Sequence, residues 1–380
     1  MTQTKVEAPF VANNFAHFKN LVINGDFRIF QRTASSTAIG NGTYSTADQF
    51  KTQFSNDGAG TTQQHTLSAA DRATTGHHHA WQWDVGTADG TIGSSQLAYF
   101  RHFIEASNCS GLAYGSSAAK TLTLSFWVKS AKTGTYCCSV EKDDSTKYTL
   151  PLEYTISSAD TWEHKTLVVS PTAGSTSLIT GSDGGIAVNI GKGITLYWWL
   201  AAGSDYTGGT NNTWSSNNNH LTTTNQVNWL DSTDNNFYIT GIQFEIGDQA
   251  TDFEHLPIDV QLQRCRRYLQ RVEASGSDYG SFGVGANANA TSSVGHQMLS
   301  PNMRSVPTLI TTGTAANYSV FNGSTSVDAC SSVPAINGGG GTSNQVRLEF
   351  ISSGNLTAGQ ATEMLGSDGV SAYLMFSAEL

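Results

Sequence analysis

Three consecutive histidines run into two spaced tryptophans in "GHHHAWQWDV" (76–85), and no other stretch of the sequence comes closer to a metal site by residue type. On a strand, His77, His79, Trp81, Trp83 and Val85 would share one face and His78, Ala80, Gln82 and Asp84 the other. Two histidines two residues apart could share a zinc or nickel ion. No cysteine or carboxylate stands at a companion spacing, so the preferred reading is an aromatic inner face whose histidines trail into a turn, with no metal and no cofactor. The glycine-rich "NGGGGTSN" (337–344) lacks the Gly-Lys-Ser/Thr that completes a phosphate loop. The sequence has neither a Gly-X-Ser-X-Gly elbow nor a His-Glu-X-X-His helix. A pair of glycosidase carboxylates could come from any two strands, but nothing marks one, and the chain is not expected to be an enzyme.

Aromatic residues in a polar loop are a different signal. The stretch "AGSDYTGGTNNTWSSNNNHLTTTNQVNWLDSTDNN" (202–236) carries Tyr206, Trp214 and Trp229 among amides and hydroxyls. A flat ring beside such groups matches both the C–H faces and the hydroxyl edges of a sugar. These three are the candidate glycan contacts; the alternative is that the tryptophans pin the loop to its own sheet.

The elements that would position these residues are strands. Hydrophobic residues make up 38% of the chain, but charged residues only 13%, with 38 Gly and 7 Pro, a composition suited to short strands and tight turns. In "TLTLSFWVKS", Leu122, Leu124, Phe126 and Val128 alternate with Thr123, Ser125, Trp127 and Lys129, the period of a half-buried strand. "ITLYWWLAAG" is apolar on both faces and predicts a mid-sheet strand. "FYITGIQFEIG" changes parity at Gly241, which predicts a β-bulge. "PIDVQLQRCRRYLQR" predicts a helix, with Ile258, Leu262, Cys265 and Leu269 on one stripe and arginines toward its C-terminal end.

The expected fold is all-β: a jelly-roll-like β-sandwich over 20–256, one linking helix within 257–275, and a second, C-terminal β-sandwich over 276–380. Residues 1–19, with Phe10, Phe15 and Phe18, read as an anchoring segment or a plain leader. The net charge of −10 argues against nucleic acid as a partner, and no apolar run is long enough for membrane insertion. The cysteines are five, an odd number, and the adjacent Cys137 and Cys138 would point to opposite faces of a strand, which suggests free thiols in a reducing cytosol.

"NLVINGDFRIFQR" (20–32), "LTLSFWVKSAKTGTY" (122–136), "WEHKTLVV" (162–169), "FYITGIQFEIGDQATDFEHLP" (237–257) and "LQRCRRYLQR" (262–271), in this order, resemble a recurrent module of bacteriophage tail fibre and related virion proteins. There an N-G-D-F strand opens a carbohydrate-binding-module-like sandwich and a C-x-R-Y helix closes it. "PNMRSVPT" (301–308) resembles a segment of the C-terminal domain that often follows. The resemblance implies a virion component assembled in the host cytoplasm: a homotrimer held by its N-terminal segment to the phage tail or an adaptor or nozzle protein, with host cell-surface polysaccharide as the partner of its sandwich or C-terminal tip. Leu262, Cys265 and Leu269 would then be candidates for the trimer axis. The histidine stretch and the Asn-rich loop depart from the pattern, so a ligand does not carry over. Rival readings are a capsid or tail decoration protein without a receptor role, a polysaccharide depolymerase, and a free-standing lectin.

Overall fold

The computed structural model describes residues 18–36, 39, 41–274, 279–321 and 326–380. The expected anchor residues Phe10 and Phe15 lie outside them. Through residue 246 the chain lays down β1 (Ser35–Ser36), β2 (Phe50–Ser55), β3 (Ala59–Thr66), α1 (Ala69–Thr75), β4 (His79–Thr87), β5 (Leu97–Glu105), β6 (Leu122–Ser130), β7 (Gly134–Lys142), β8 (Tyr148–Ile156), β9 (Glu163–Val169), β10 (Lys192–Ala202) and β11 (Asn236–Ile246). They form two antiparallel sheets, ordered β1-β3-β4-β11-β6-β9 and β2-β5-β10-β7-β8. The fold is an all-β sandwich.

Alternation builds its core. Leu122, Leu124, Phe126 and Val128 of β6 are buried between the sheets, as are Trp81, Trp83 and Val85 of β4. β10 is the middle strand of the second sheet, which is why both of its faces are apolar. Ile194, Leu196, Trp198 and Leu200 face the core, while Tyr197 and Trp199 pack with Leu97, Tyr99, Cys137 and Leu221 on the other side. In β11 the register with β6 slips between Thr240 and Gln243, and Gly241 has φ 63. The bulge lets both Ile239 and Ile242 point inward.

The opening segment departs from expectation, because residues 20–34 form no strand. They cross the sandwich as a turn-rich strip joined to β11 by Leu21 N–H donating to Phe244 O (2.9 Å) and Ile242 N–H to Gly25 O (2.9 Å). Asn24, at φ 61, is wholly buried and acts as a clasp. Its Oδ1 accepts from Ile29 N (3.0 Å), and its Nδ2 donates to Ile29 O (2.9 Å) and Asp48 O (3.2 Å). A short amide side chain both tolerates the left-handed conformation and satisfies the backbone around it.

The helix is shorter than its apolar stripe predicts. α2 spans Ile258–Arg266, and the chain then turns into β12 (Leu269–Ala274), which pairs with the last strand of the protein, Ala372–Ser377. Leu269 therefore belongs to a sheet. Cys265 is buried against Ile23, Ile29 and Tyr268, with Leu262 packed on the same cluster. Of the trimer-axis candidates, Cys265 and Leu269 are fully enclosed within one chain and Leu262 is half-buried there, with the opening strip packed on Cys265 and Leu262. The C-x-R-Y motif has an intramolecular role. Arg267 pairs with the buried Glu105 through two hydrogen bonds (2.9 and 2.6 Å), and Tyr268 Oη donates to the same carboxylate (2.8 Å).

Beyond α2 lie a three-stranded sheet containing β12 and a seven-stranded sheet, which enclose a second core built from residues between Ala274 and Ala378. Polar contacts join the C-terminal tail to the first sandwich. Glu379 pairs with Arg32, Tyr44 Oη donates to Leu380 O (2.7 Å), and Arg304 donates to Ala378 O (2.8 Å) and Ile190 O (2.7 Å). All five cysteines are free and buried. Among the described residues no helix is long and apolar enough to cross a membrane.

Candidate functional site

A cleft of about 450 Å³ opens on the outer face of the first sheet, lined by Thr75, His77, Ser125, Trp127, His164, Gly241 and the segment 250–255. Local chemistry explains how each wall is placed. Ser68 caps α1, accepting from Asp71 N (3.1 Å), and Gly76 ends the helix in the left-handed conformation. That turn delivers His77 beneath the bulge at Gly241. Trp127 and His164 are direct cross-strand partners on β6 and β9, with ring centroids 5.1 Å apart.

The fourth wall is held by the outward residues of β11. Glu245 accepts from Thr251 N (2.9 Å) and Oγ1 (2.6 Å), and Gln243 Oε1 accepts from Glu254 N (2.8 Å). These bonds fold the segment after β11 back across its own strand and present Phe253 and His255. The Phe253 ring meets His77 edge-on at 4.7 Å and His255 at 4.9 Å.

Burial dominates the electrostatics of His77, which is 3% exposed. Burial, reinforced by the neighbouring His255, Arg28 and His164, pushes its pKa down to about 3, so the ring is neutral at ordinary pH. His164 is shifted down as well, by partial burial. Among the described residues no three His, Cys, Asp or Glu groups are arranged to hold a metal ion. What the cleft offers is two aromatic faces, Trp127 and Phe253, beside imidazoles, hydroxyls and the Asp252 carboxyl, a mixture that suits the alternating apolar and hydroxyl surfaces of a sugar.

A glycine is required at the hinge of this cleft. A Cβ on Gly241 would lie 2.3 Å from His77 Nε2, at a φ that side chains rarely adopt. Gly241→Ala is expected to cost roughly 1–3 kcal/mol and to expel His77 from its place. Thermal unfolding, together with a rise of the His77 pKa in histidine NMR, checks it.

The loop aromatics occupy other places. Trp214 is 2% exposed and its Nε1 donates to Ser170 O (2.8 Å). Trp229 is fully buried and donates to Asn236 O (3.0 Å). Neither offers a ring face to a ligand, which corrects their reading as glycan contacts: a long polar loop can settle on a sandwich only by burying its own apolar anchors. Tyr206 is half-buried against Trp199 (5.9 Å) over the second sheet, and the three do not come together. Phe18 is 50% exposed, beside the Arg264 guanidinium at 5.0 Å.

Of the cleft residues, the sequence singled out His77, as a candidate ligand, and Gly241, as a bulge, but gave neither a place in a binding site. Trp127 and His164 meet only because β6 pairs with β9, and no spacing announces that pairing. α1 was also missed, although Ser68, Asp71 and Gly76 carry the start and stop signals of a short helix.

No family model matches the sequence, and no curated protein is significantly similar to it. Several solved structures align with part of the chain. A Bacteroides thetaiotaomicron protein described as sugar-binding aligns with 60% of this chain and 100% of its own at 12% identity, with a TM-score of 0.31. The enzymatically active domain of tailspike protein 4 of bacteriophage CBA120 aligns over 60% of this chain and 22% of its own, at 9% identity and a TM-score of 0.29. A family 11 carbohydrate-binding module from Clostridium thermocellum, in complex with a mixed-linked tetrasaccharide, covers 53% of this chain and 91% of its own, at 10% identity and a TM-score of 0.27.

Proposed function

We propose that this protein is a non-enzymatic structural component of a phage virion, a trimeric tail fibre that attaches through its N-terminal segment and recognises host-surface glycan through the cleft around His77, Trp127 and Phe253. The observation that carries the reading is where the fibre-like motifs fall. "LTLSFWVKS" supplies Trp127, "WEHKTLVV" supplies His164, and "FYITGIQFEIGDQATDFEHLP" supplies Gly241, Phe253 and His255, so motifs that resemble virion modules build a sugar-sized site. In this reading the region after α2 forms the candidate tip. Weak contacts at one cleft are multiplied by three chains per fibre and several fibres per particle.

Light scattering on the purified chain is expected to give about three times the 40.5 kDa of one copy, and the protein should compete with phage for host cells. Trp127→Ala is expected to weaken that competition about tenfold or more while leaving the solution mass unchanged. A monomer that does not compete overturns the proposal, and release of reducing ends from host glycan would make the chain a depolymerase instead.

A further inference from the structure

The other sheet of the sandwich carries a charged strip. On its outer face Lys51 of β2 stands opposite Arg101 of β5, which stands opposite Tyr197 of β10. Lys192, at the start of β10, lies over Phe103 with its Nζ 4.1 Å from the ring centroid, and Arg101 lies over the same ring at 4.9 Å. Lys51 reaches the Tyr44 ring at 5.3 Å. Among the described residues no carboxylate lies within ion-pairing distance of Lys51, Arg101 or Lys192. Asp143, whose field reaches Lys192, is bound by Lys147 at 3.0 Å and accepts from Thr195, and Glu379, whose field reaches Lys51, is paired with Arg32.

This gathering needs an explanation. The chain has 30 acidic residues and 20 Lys and Arg, yet these cations share one patch and repel one another. The pKa of Lys192 is lowered by burial first, then by Arg101, Lys51 and Lys147, against the pull of Asp143. Ring faces recover part of that cost, but they do not neutralise charge.

We propose that this strip binds an acidic saccharide, a sugar bearing carboxylate, sulfate or phosphate groups. Its width across β2, β5 and β10 is about 10 Å, two strand spacings, the scale of one or two sugar rings. A nucleic acid would require many more phosphate contacts than these cations provide, on a protein whose net charge is −10. The strip lies on the opposite sheet from the histidine cleft and does not depend on it.

The test is calorimetric titration of the full chain with four probes: a trimer of galacturonic acid, its uncharged counterpart galactotriose, sodium sulfate, and a short single-stranded DNA. The acidic trimer is expected to bind, to weaken about tenfold as salt rises from about 20 to about 200 mM, and to lose at least about tenfold in affinity in the Lys51→Gln/Lys192→Gln variant. Equal binding of galactotriose, unchanged binding by the variant, or no binding of the acidic trimer overturns the proposal. Full displacement by equimolar sulfate would reduce the strip to a site for a simple ion, and tighter binding of a short single-stranded DNA would make it a nucleic-acid surface; either overturns it too. If the variant does not fold, dimethyl-lysine NMR on the wild type decides: shifts of the Lys51 and Lys192 signals with the acidic trimer support the proposal, and their absence sinks it.

Discussion

Gly25→Ala should unfold the first sandwich at a markedly lower temperature than wild type. A Cβ at this position would stand 2.1 Å from Ile242 O and 3.1 Å from Ile242 C. Both are backbone atoms of β11, so no side chain can swing away to make room. Relief must come from moving the opening strip, which would break the bond from Ile242 N–H to Gly25 O and disturb the Asn24 clasp beside it. Loss of a tight backbone contact and a buried hydrogen-bond cluster belongs with the largest single-residue effects, roughly 3–5 kcal/mol. For a unit of this size that is a fall of about 10 °C in Tm, read by thermal unfolding of the full chain. An unchanged Tm would mean that the strip is not docked on β11 as described.

The second large effect depends on pH. Burial, only partly offset by Arg32, pushes the Glu379 carboxyl up to about 7. The unfolded chain has an ordinary value near 4.3, so the folded protein holds the extra proton between about pH 4.3 and 7. Its contribution to stability is fully present below that interval and is lost as pH rises through it, at a cost of roughly 3 kcal/mol by pH 8. Glu379→Gln removes the titration. Its stability relative to wild type should therefore increase by about that amount between pH 4 and pH 8.

The difference between the two proteins carries the sign, because His77 and His102, both driven down to about 3 chiefly by burial, tilt both curves the opposite way over much of the same range. Asp48, also pushed up to about 6 by burial, tilts both curves in the same direction as Glu379. Denaturant titrations of the pair at several pH values measure it. A difference that stays flat would mean that Glu379 is solvated rather than enclosed at the joint.

Much of the architecture was legible in the sequence. Periodicity of two located β6, two-sided apolarity placed β10 inside a sheet, and the parity change identified the bulge at Gly241, because each of these is set by the strand's own residues. The end of α2 was not legible. Leu269 continues the helical spacing, and only its pairing partner Ser377, more than a hundred residues away in the chain, makes it a strand residue. The loop tryptophans misled for a related reason: an aromatic ring among polar neighbours looks the same whether it faces a ligand or anchors the loop, and burial decides. The cleft itself was hidden because its walls come from α1, β6, β9 and the segment after β11.

The cysteines hold a practical consequence. Burial pushes the thiols of Cys109 and Cys330 up to about 12 and that of Cys137 to about 11, and those of Cys138 and Cys265 rise as well. Thiolate is the reactive form, and all five thiols are buried, so the native fold is expected to react slowly with maleimides. A single cysteine introduced at the exposed Val188, 70% accessible, would be the one fast-labelling position in the unaltered wild-type background. One fluorophore per chain could then count the copies in an assembly by stepwise photobleaching.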